Sequence, residues 1–228
     1  MKILAIDTAT EACSAALAIG ATVLARYEEP GRGHAERILP MIDEILAEAG
    51  VALTALDAIA FGRGPGAFTG VRIAAAVAQG LAFGAGLPVI PVSSLAALAE
   101  RGLAQSPADA ALACIDARMA EVYWGGFRRT APSSIEALGD ERVTAPGAVM
   151  LGEAGSARLR WIGVGTGFGA FPGLAARLGI DTAAVDARLL PRAHEMTRIG
   201  MREFAAGRAR DPERAVPVYL RDKVVSVP

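Results

Sequence analysis

Asp7 directly follows the apolar run Ile3-Leu4-Ala5-Ile6 and precedes Thr8-Ala9-Thr10. A carboxylate with hydroxyls beside it at a strand end can position a metal-bound phosphate, as in phosphotransferases. The same residues can equally hydrogen-bond a tight turn between two strands, and so short a stretch does not choose between the two. A second feature is the loop Gly62-Arg63-Gly64-Pro65-Gly66-Ala67-Phe68-Thr69-Gly70-Val71-Arg72. Open amides at a helix start favour an anion, and glycines let a ligand or another backbone approach. Asp7, Thr8, Gly64, Gly66, Thr69 and Gly70 are therefore the candidate anion or nucleotide contacts. The loop has neither the Gly-Lys-Ser/Thr of a Walker loop nor a G-x-G-x-x-G spacing, so the competing reading is a close-packed strand-to-helix corner plugged by Phe68.

Other chemistry finds few residues. His34 and His194 are the only histidines, and Ile38 stands one turn after His34. Cys13 and Cys114 lack metal-ligand spacing, and neither H-E-x-x-H nor G-x-S-x-G occurs. Both cysteines lie in apolar segments and read as buried free thiols of a reducing compartment. No catalytic residue and no metal ligand is assigned.

The elements that position these residues follow from periodicity. Residues 2–7 form a buried strand, and Ser14–Ile19 and Thr22–Glu28 complete a three-stranded meander. A helix spans 34–49, with Gly50 stopping it. Strand 57–62, the glycine loop, helix 71–83, strand 87–92 and a helix capped by Ser93 or Ser94 come next. Further on, helix 193–206 precedes a last strand, Val216–Leu220.

The second half repeats this plan. Leu4-Ala5-Ile6-Asp7 is echoed by Ala113-Cys114-Ile115-Asp116, and five of seven positions agree between Gly64–Gly70 and Gly167–Gly173. Each heptad follows a strand, 57–62 or 160–165, which points to duplication, with residues 128–159 as the degenerate portion. The expected fold is α/β: two ribonuclease-H-like lobes with mixed sheets and flanking helices, the plan of the actin, sugar-kinase and Hsp70 (ASKHA) superfamily. The N-terminal lobe is placed at 1–104, with helix 193–207 packing back on it. Residues 105–192 and 208–228 form a smaller C-terminal lobe.

Composition narrows the function. With 23 basic and 24 acidic residues the net charge is −1, which excludes a strongly basic nucleic-acid binder. Hydrophobic residues make up 53% of the chain but aromatics only 5%, so alanine carries the excess. No charge occurs from Ile73 to Ala99, yet Gly84, Gly86, Pro88 and Pro91 break that run, so no membrane span is expected. Asp7 cuts short the first apolar run, no secretory signal is read, and a cytoplasmic location is expected. Helix 34–49 has an apolar arc wider than the roughly 100° that one core needs. Helix 71–83 is apolar nearly all round. Either both serve an ordinary layered core or one face awaits a partner.

Ile3–Thr10, the loop Gly62–Arg72, Ile115-Asp116-Ala117-Arg118-Met119 and Pro217-Val218-Tyr219-Leu220-Arg221 together resemble the TsaB (YeaZ-type) family. These bacterial proteins serve biosynthesis of threonylcarbamoyladenosine beside the anticodon of tRNAs reading codons that begin with A. The resemblance covers nearly the whole chain and loosens between about 128 and 160. It implies a non-catalytic scaffold that dimerises with the catalytic subunit TsaD, in a complex joined by the ATPase TsaE, with tRNA reached through that complex. The implied dimer surface is helices 34–49 and 71–83, carried onto Ile38, Leu39, Met41, Ile42, Ile45, Leu46, Ile73, Val77 and Leu81; alone, such a chain forms a homodimer through them. TsaD binds a metal through two histidines on a helix, and Ile38 departs from that pair. No cofactor is expected in the isolated chain, with a nucleotide only in the complex. The alternatives are an ATP-dependent phosphotransferase of the sugar-kinase type, resting on Asp7 and the glycine loops, and a glycoprotease-like metallopeptidase, which the histidine shortage opposes.

Overall fold

The apolar run at the start of the chain becomes β1 (Lys2–Asp7), whose residues from Ile3 onward are all buried. In the computed structural model, which describes residues 1–132, 134–151 and 159–221, β1 is the middle strand of a five-stranded sheet. Antiparallel β2 (Cys13–Ile19) and edge strand β3 (Thr22–Glu28) lie on one side of it. Parallel β4 (Ala58–Gly64) and β5 (Val89–Ser93) lie on the other.

Helices α1 (His34–Ala49) and α2 (Phe68–Ala85) cover one face of this sheet. α1 sends Ile38, Met41, Ile42 and Ile45 into a core shared with Leu4, Ile6, Leu17, Ile59 and Phe61. Each such side chain contributes about 1.5–3 kcal/mol by leaving water. Arg26 on β3 holds Glu44 and Glu48 of α1 at 3.1 and 2.5 Å, tying the helix to the sheet edge. α2 begins three residues earlier than the expected 71–83. It is long and apolar enough to cross a membrane by length and composition alone. Its inner side, including Val71, Ala74, Ala75, Ala78 and Ala82, is nevertheless closed onto the sheet.

The second half builds β6 (Ala110–Arg118), β7 (Glu121–Ala131), β8 (Ser134–Ala137), β9 (Arg142–Thr144), β10 (Trp161–Val164) and β11 (Val185–Asp186). Its sheet order, β8-β7-β6-β10-β11, matches β3-β2-β1-β4-β5 strand for strand, with the same directions, and β9 adds beside β7. The duplication is thus present in topology. The matching heptads are a weaker guide than they look. Ile59 pairs with Leu4 and Val164 with Ala113, so the counterpart of Gly167 is Gly62 rather than Gly64. The heptads share a junction but are two residues out of register. Part of the segment expected to be degenerate, 133 and 152–158, lies outside the described residues.

Two helices join the halves. α3 (Ser94–Ala104), capped by the Ser93 hydroxyl accepting from the Ala96 amide at 3.1 Å, buries Leu95, Leu98, Ala99 and Leu103 against the second sheet. α6 (Ala193–Ala205) crosses back to bury Ala193 and Met196 against Ile3, Ala5, Ala60 and Ile90 of the first. α3 and α6 touch each other, and Arg202 donates to Glu100 at 2.6 Å between them. Two short helices, α4 (Thr166–Ala170) and α5 (Leu174–Leu178), follow β10.

The last strand expected at Val216–Leu220 does not form. Pro217 has no amide to donate, and the segment is joined to the first sheet by one backbone bond, from the Val218 amide to the Arg63 carbonyl at 2.8 Å. It is an extended strap rather than a sheet member.

Candidate functional site

Parallel strands β1 and β4 of the first lobe and β6 and β10 of the second end around one cleft of about 740 Å³. A crevice beyond the carboxyl ends of parallel strands is where α/β folds commonly take ligands. Thr8–Glu11, residues 65–71, Ile115–Arg118, Thr166 and the strap residues Val218–Arg221 line it.

Asp7 lies beneath this cleft rather than in its lining. It is fully buried, one carboxylate oxygen accepts from the Ala9 amide at 3.4 Å, and the other has no partner. Burial pushes its carboxyl from 3.8 up to about 7, against the lowering effect of the Ala9 and Thr8 amides. The Thr8 hydroxyl donates to the Gly70 carbonyl at 2.7 Å, and the Ala67 amide donates to the Ala9 carbonyl at 2.7 Å. These bonds stitch the glycine loop to the β1–β2 turn. A side chain at Gly66 or Gly70 would place its Cβ 2.2 Å from the Ala9 carbonyl oxygen or 2.0 Å from that of Thr8. Glycine is required there because two backbones meet. Gly64, where the would-be Cβ comes 3.3 Å from the Val218 carbonyl, is close under the strap. Of the six candidate contacts, only Thr69 is exposed at the cleft.

Phe68 does not plug the corner as expected. It is 53% exposed, because α2 starts at Phe68 and turns the ring outward from the buried Gly70 and Val71. The Arg72 guanidinium carbon lies 3.2 Å from the centre of that ring and 5.0 Å from that of Tyr219.

The second lobe brings in residues the sequence pattern did not single out as contacts. Asp116, the counterpart of Asp7, reaches the cleft. Its backbone amide donates to the Thr166 hydroxyl at 3.1 Å, and its carboxylate accepts from the Arg118 amide at 2.8 Å and guanidinium at 3.0 Å. Arg118, Met119 and Ala120 all have positive φ, 60°, 54° and 58°. Left-handed backbone costs about 1–2 kcal/mol per such residue, and no glycine, asparagine or aspartate at these positions marks the turn. Glu141 accepts from Arg63 at 3.0 Å and from the Ser93 hydroxyl, joining the lobes. Arg221 donates to Glu121 at 2.5 Å and to the Ala117 carbonyl at 3.1 Å, fastening the strap to the second lobe.

His34 is held 3.0 Å from the Thr10 carbonyl at the start of α1, and Ile38 one turn on is buried. Among the described residues, no group of three or more His, Cys, Asp or Glu is placed to share a metal ion. Cys13 and Cys114 are both buried, and burial pushes their thiols up to about 11 and about 12.

The residues carried onto a partner surface separate into two sets. Ile38, Met41, Ile42 and Ile45 are at most 1% exposed and belong to the chain's own core, so they have no surface to offer. This corrects the wide apolar arc of α1: four of its residues face the sheet. Leu39 is 45% exposed, and Leu46, Ile73, Val77 and Leu81 are half-buried at the edge of the core.

Comparison with known proteins agrees with this architecture. The family of TsaD, tRNA N6-adenosine threonylcarbamoyltransferase, matches residues 26–201. The tRNA threonylcarbamoyladenosine biosynthesis protein TsaB of Escherichia coli is 45% identical, over 98% of this chain and 96% of its own. That of Haemophilus influenzae is 40% identical, over 98% and 95%. The structure of YeaZ from Pseudomonas aeruginosa superposes with a TM-score of 0.88 at 46% identity, covering 96% of this chain and 99% of that one. A shared topology in both lobes and identity across nearly the full length place the chain in the TsaB (YeaZ-type) family, with a role in tRNA threonylcarbamoyladenosine biosynthesis.

Proposed function

We propose that the chain is a non-catalytic scaffold that dimerises with a TsaD-type catalytic subunit through α1 and α2, and so supports transfer of the threonylcarbamoyl group to tRNA. The outward side of α2 carries this reading. Ala76, Gly80 and Gly84 are exposed, and a Cβ built on either glycine meets nothing within 4 Å, so these small residues do not serve this chain's own packing. Beside them stand half-buried Ile73, Val77 and Leu81, Phe83 at 54% exposure, and Leu39 on the neighbouring α1. A contiguous apolar surface with small residues suits close approach of another helix. In this reading the isolated chain covers the same surface with a second copy, a TsaE-type ATPase joins the complex, tRNA is held mainly by the other subunits, and the setting is cytoplasmic.

Against the sugar-kinase alternative weighs the burial of Asp7 below the cleft and the commitment of Thr8 to Gly70. Against the metallopeptidase weighs the sparse donor set. The test is co-purification with the catalytic subunit and measurement of threonylcarbamoyladenosine formed. Leu39→Glu with Val77→Glu is expected to abolish the complex and lower the modification in step, with the fold intact. Retention of both would refute the scaffold surface.

A further inference from the structure

Arg72, next in sequence to the cleft-lining Val71, is held differently from Arg118 and Arg221 of the cleft lining. Arg118 pairs with Asp116 and Glu11, and Arg221 pairs with Glu121. Arg72 lies over the Phe68 ring at 3.2 Å and 5.0 Å from Tyr219, the two rings being 6.1 Å apart, and it donates one bond to the Phe68 carbonyl at 3.2 Å. Among the described residues no carboxylate comes within ion-pair distance of it. Its planar group is therefore fixed on aromatic surface with its other donors uncommitted. Such an arginine has already lost most of its rotamer freedom and some of its hydration, which lowers the cost of forming a bidentate bond.

We propose that Arg72, clasped by Phe68 and Tyr219, anchors a carboxylate of the protein partner that covers α2. This inference rests on the scaffold reading above and extends its surface from α2 onto the strap. Arginine, tyrosine and phenylalanine flanking an apolar helix face are the composition of an interface centre. Charge complementarity then calls for Asp or Glu. The phosphate backbone of RNA fits less well, since it calls for several free cations together: Arg118 and Arg221 are already neutralised, which leaves Arg32 as the cleft-lining arginine outside the ion pairs among the described residues. The strap's role is to hold Tyr219 in place: the Val218–Arg63 bond fixes it on one side and the Arg221–Glu121 pair on the other.

The experiment titrates the full chain with a full-length TsaD-type subunit and, separately, with unmodified tRNA. Arg72→Lys should raise the Kd for the subunit about tenfold, because ammonium cannot reproduce a stacked bidentate contact, and Arg72→Glu about a hundredfold. The melting temperature should not move. At least one Asp→Arg or Glu→Arg change on the subunit should restore binding to Arg72→Glu. Wild-type affinity in both Arg72 variants, while Val77→Glu abolishes binding, would overturn the anchor and leave the scaffold reading standing. Wild-type affinity in all three would sink both. Lost tRNA affinity with an intact complex would make Arg72 a phosphate contact and overturn the proposal, as would failure of every charge swap.

Discussion

Asp7 is placed by the sequence at a strand end and by the fold in a site without solvent, and the second fact governs its chemistry. Burial raises its carboxyl from 3.8 to about 7, so between those pH values the native chain keeps a proton that the unfolded chain has released. Its contribution is complete below the unfolded value, falls by up to about 1.4 kcal/mol per pH unit as pH rises, and levels off near the folded value. Urea midpoints measured from pH 4 to 8 should show this decline, and Asp7→Asn should flatten it and be the more stable protein at pH 8. Strand-end position was legible from the apolar run before Asp7. Its burial was not, because the cover comes from elsewhere: a Cβ at Gly62 would sit 1.9 Å from the Asp7 carboxylate, and Met196 of α6 packs on the same spot. The close-packed reading of the glycine loop was also available in the sequence, and Thr8, Gly66 and Gly70 follow it.

At the scale of elements, spacing located nearly every helix and strand of the first lobe, since each has a buried face with its own period. What periodicity leaves open is which apolar residues face inward when a helix is apolar over a broad arc. α1 resolves this into a buried row, with Leu46 half-buried beside it and Leu39 as its large apolar side chain at the surface. Ile42→Glu should therefore cost at least about 3 kcal/mol, the order expected for an unpaired charge forced into a core. Leu39→Glu should stay within about 0.5 kcal/mol of wild type while shifting any self-associated chain toward monomer. Chemical denaturation and sedimentation on the two variants separate these outcomes. The failed strand at Val216–Leu220 has the opposite lesson: its β-favouring residues predict a strand, but Pro217 has no amide to donate and the bond from Val218 to Arg63 alone leaves a strap.

For the whole molecule, duplication was legible through the Leu4–Asp7 and Ala113–Asp116 echo, although the glycine heptads gave a register two residues off. The sequence reading carries helix 193–207 back onto the first lobe, where α6 packs, but it leaves α3 in the first lobe at 1–104; α3 serves the second sheet instead, an exchange nothing local announces, because an amphipathic stripe does not name its partner. That exchange, together with the Arg63–Glu141–Ser93 contact, makes the lobes interdependent. Calorimetry should show one unfolding transition. Glu141→Ala should lower it by leaving the half-buried Arg63 without its acceptor, at a cost of about 1–3 kcal/mol.

The crossing of α6 also has a bearing on biosynthesis. During translation the first sheet, with Ile3, Ala5, Ala60 and Ile90 on one face, is made well before its cover at Ala193 and Met196, about a hundred residues after Ile90. The nascent chain must carry an open apolar face until α6 follows, and the first sheet is over that interval a natural client for the chaperones that wait at the ribosome exit.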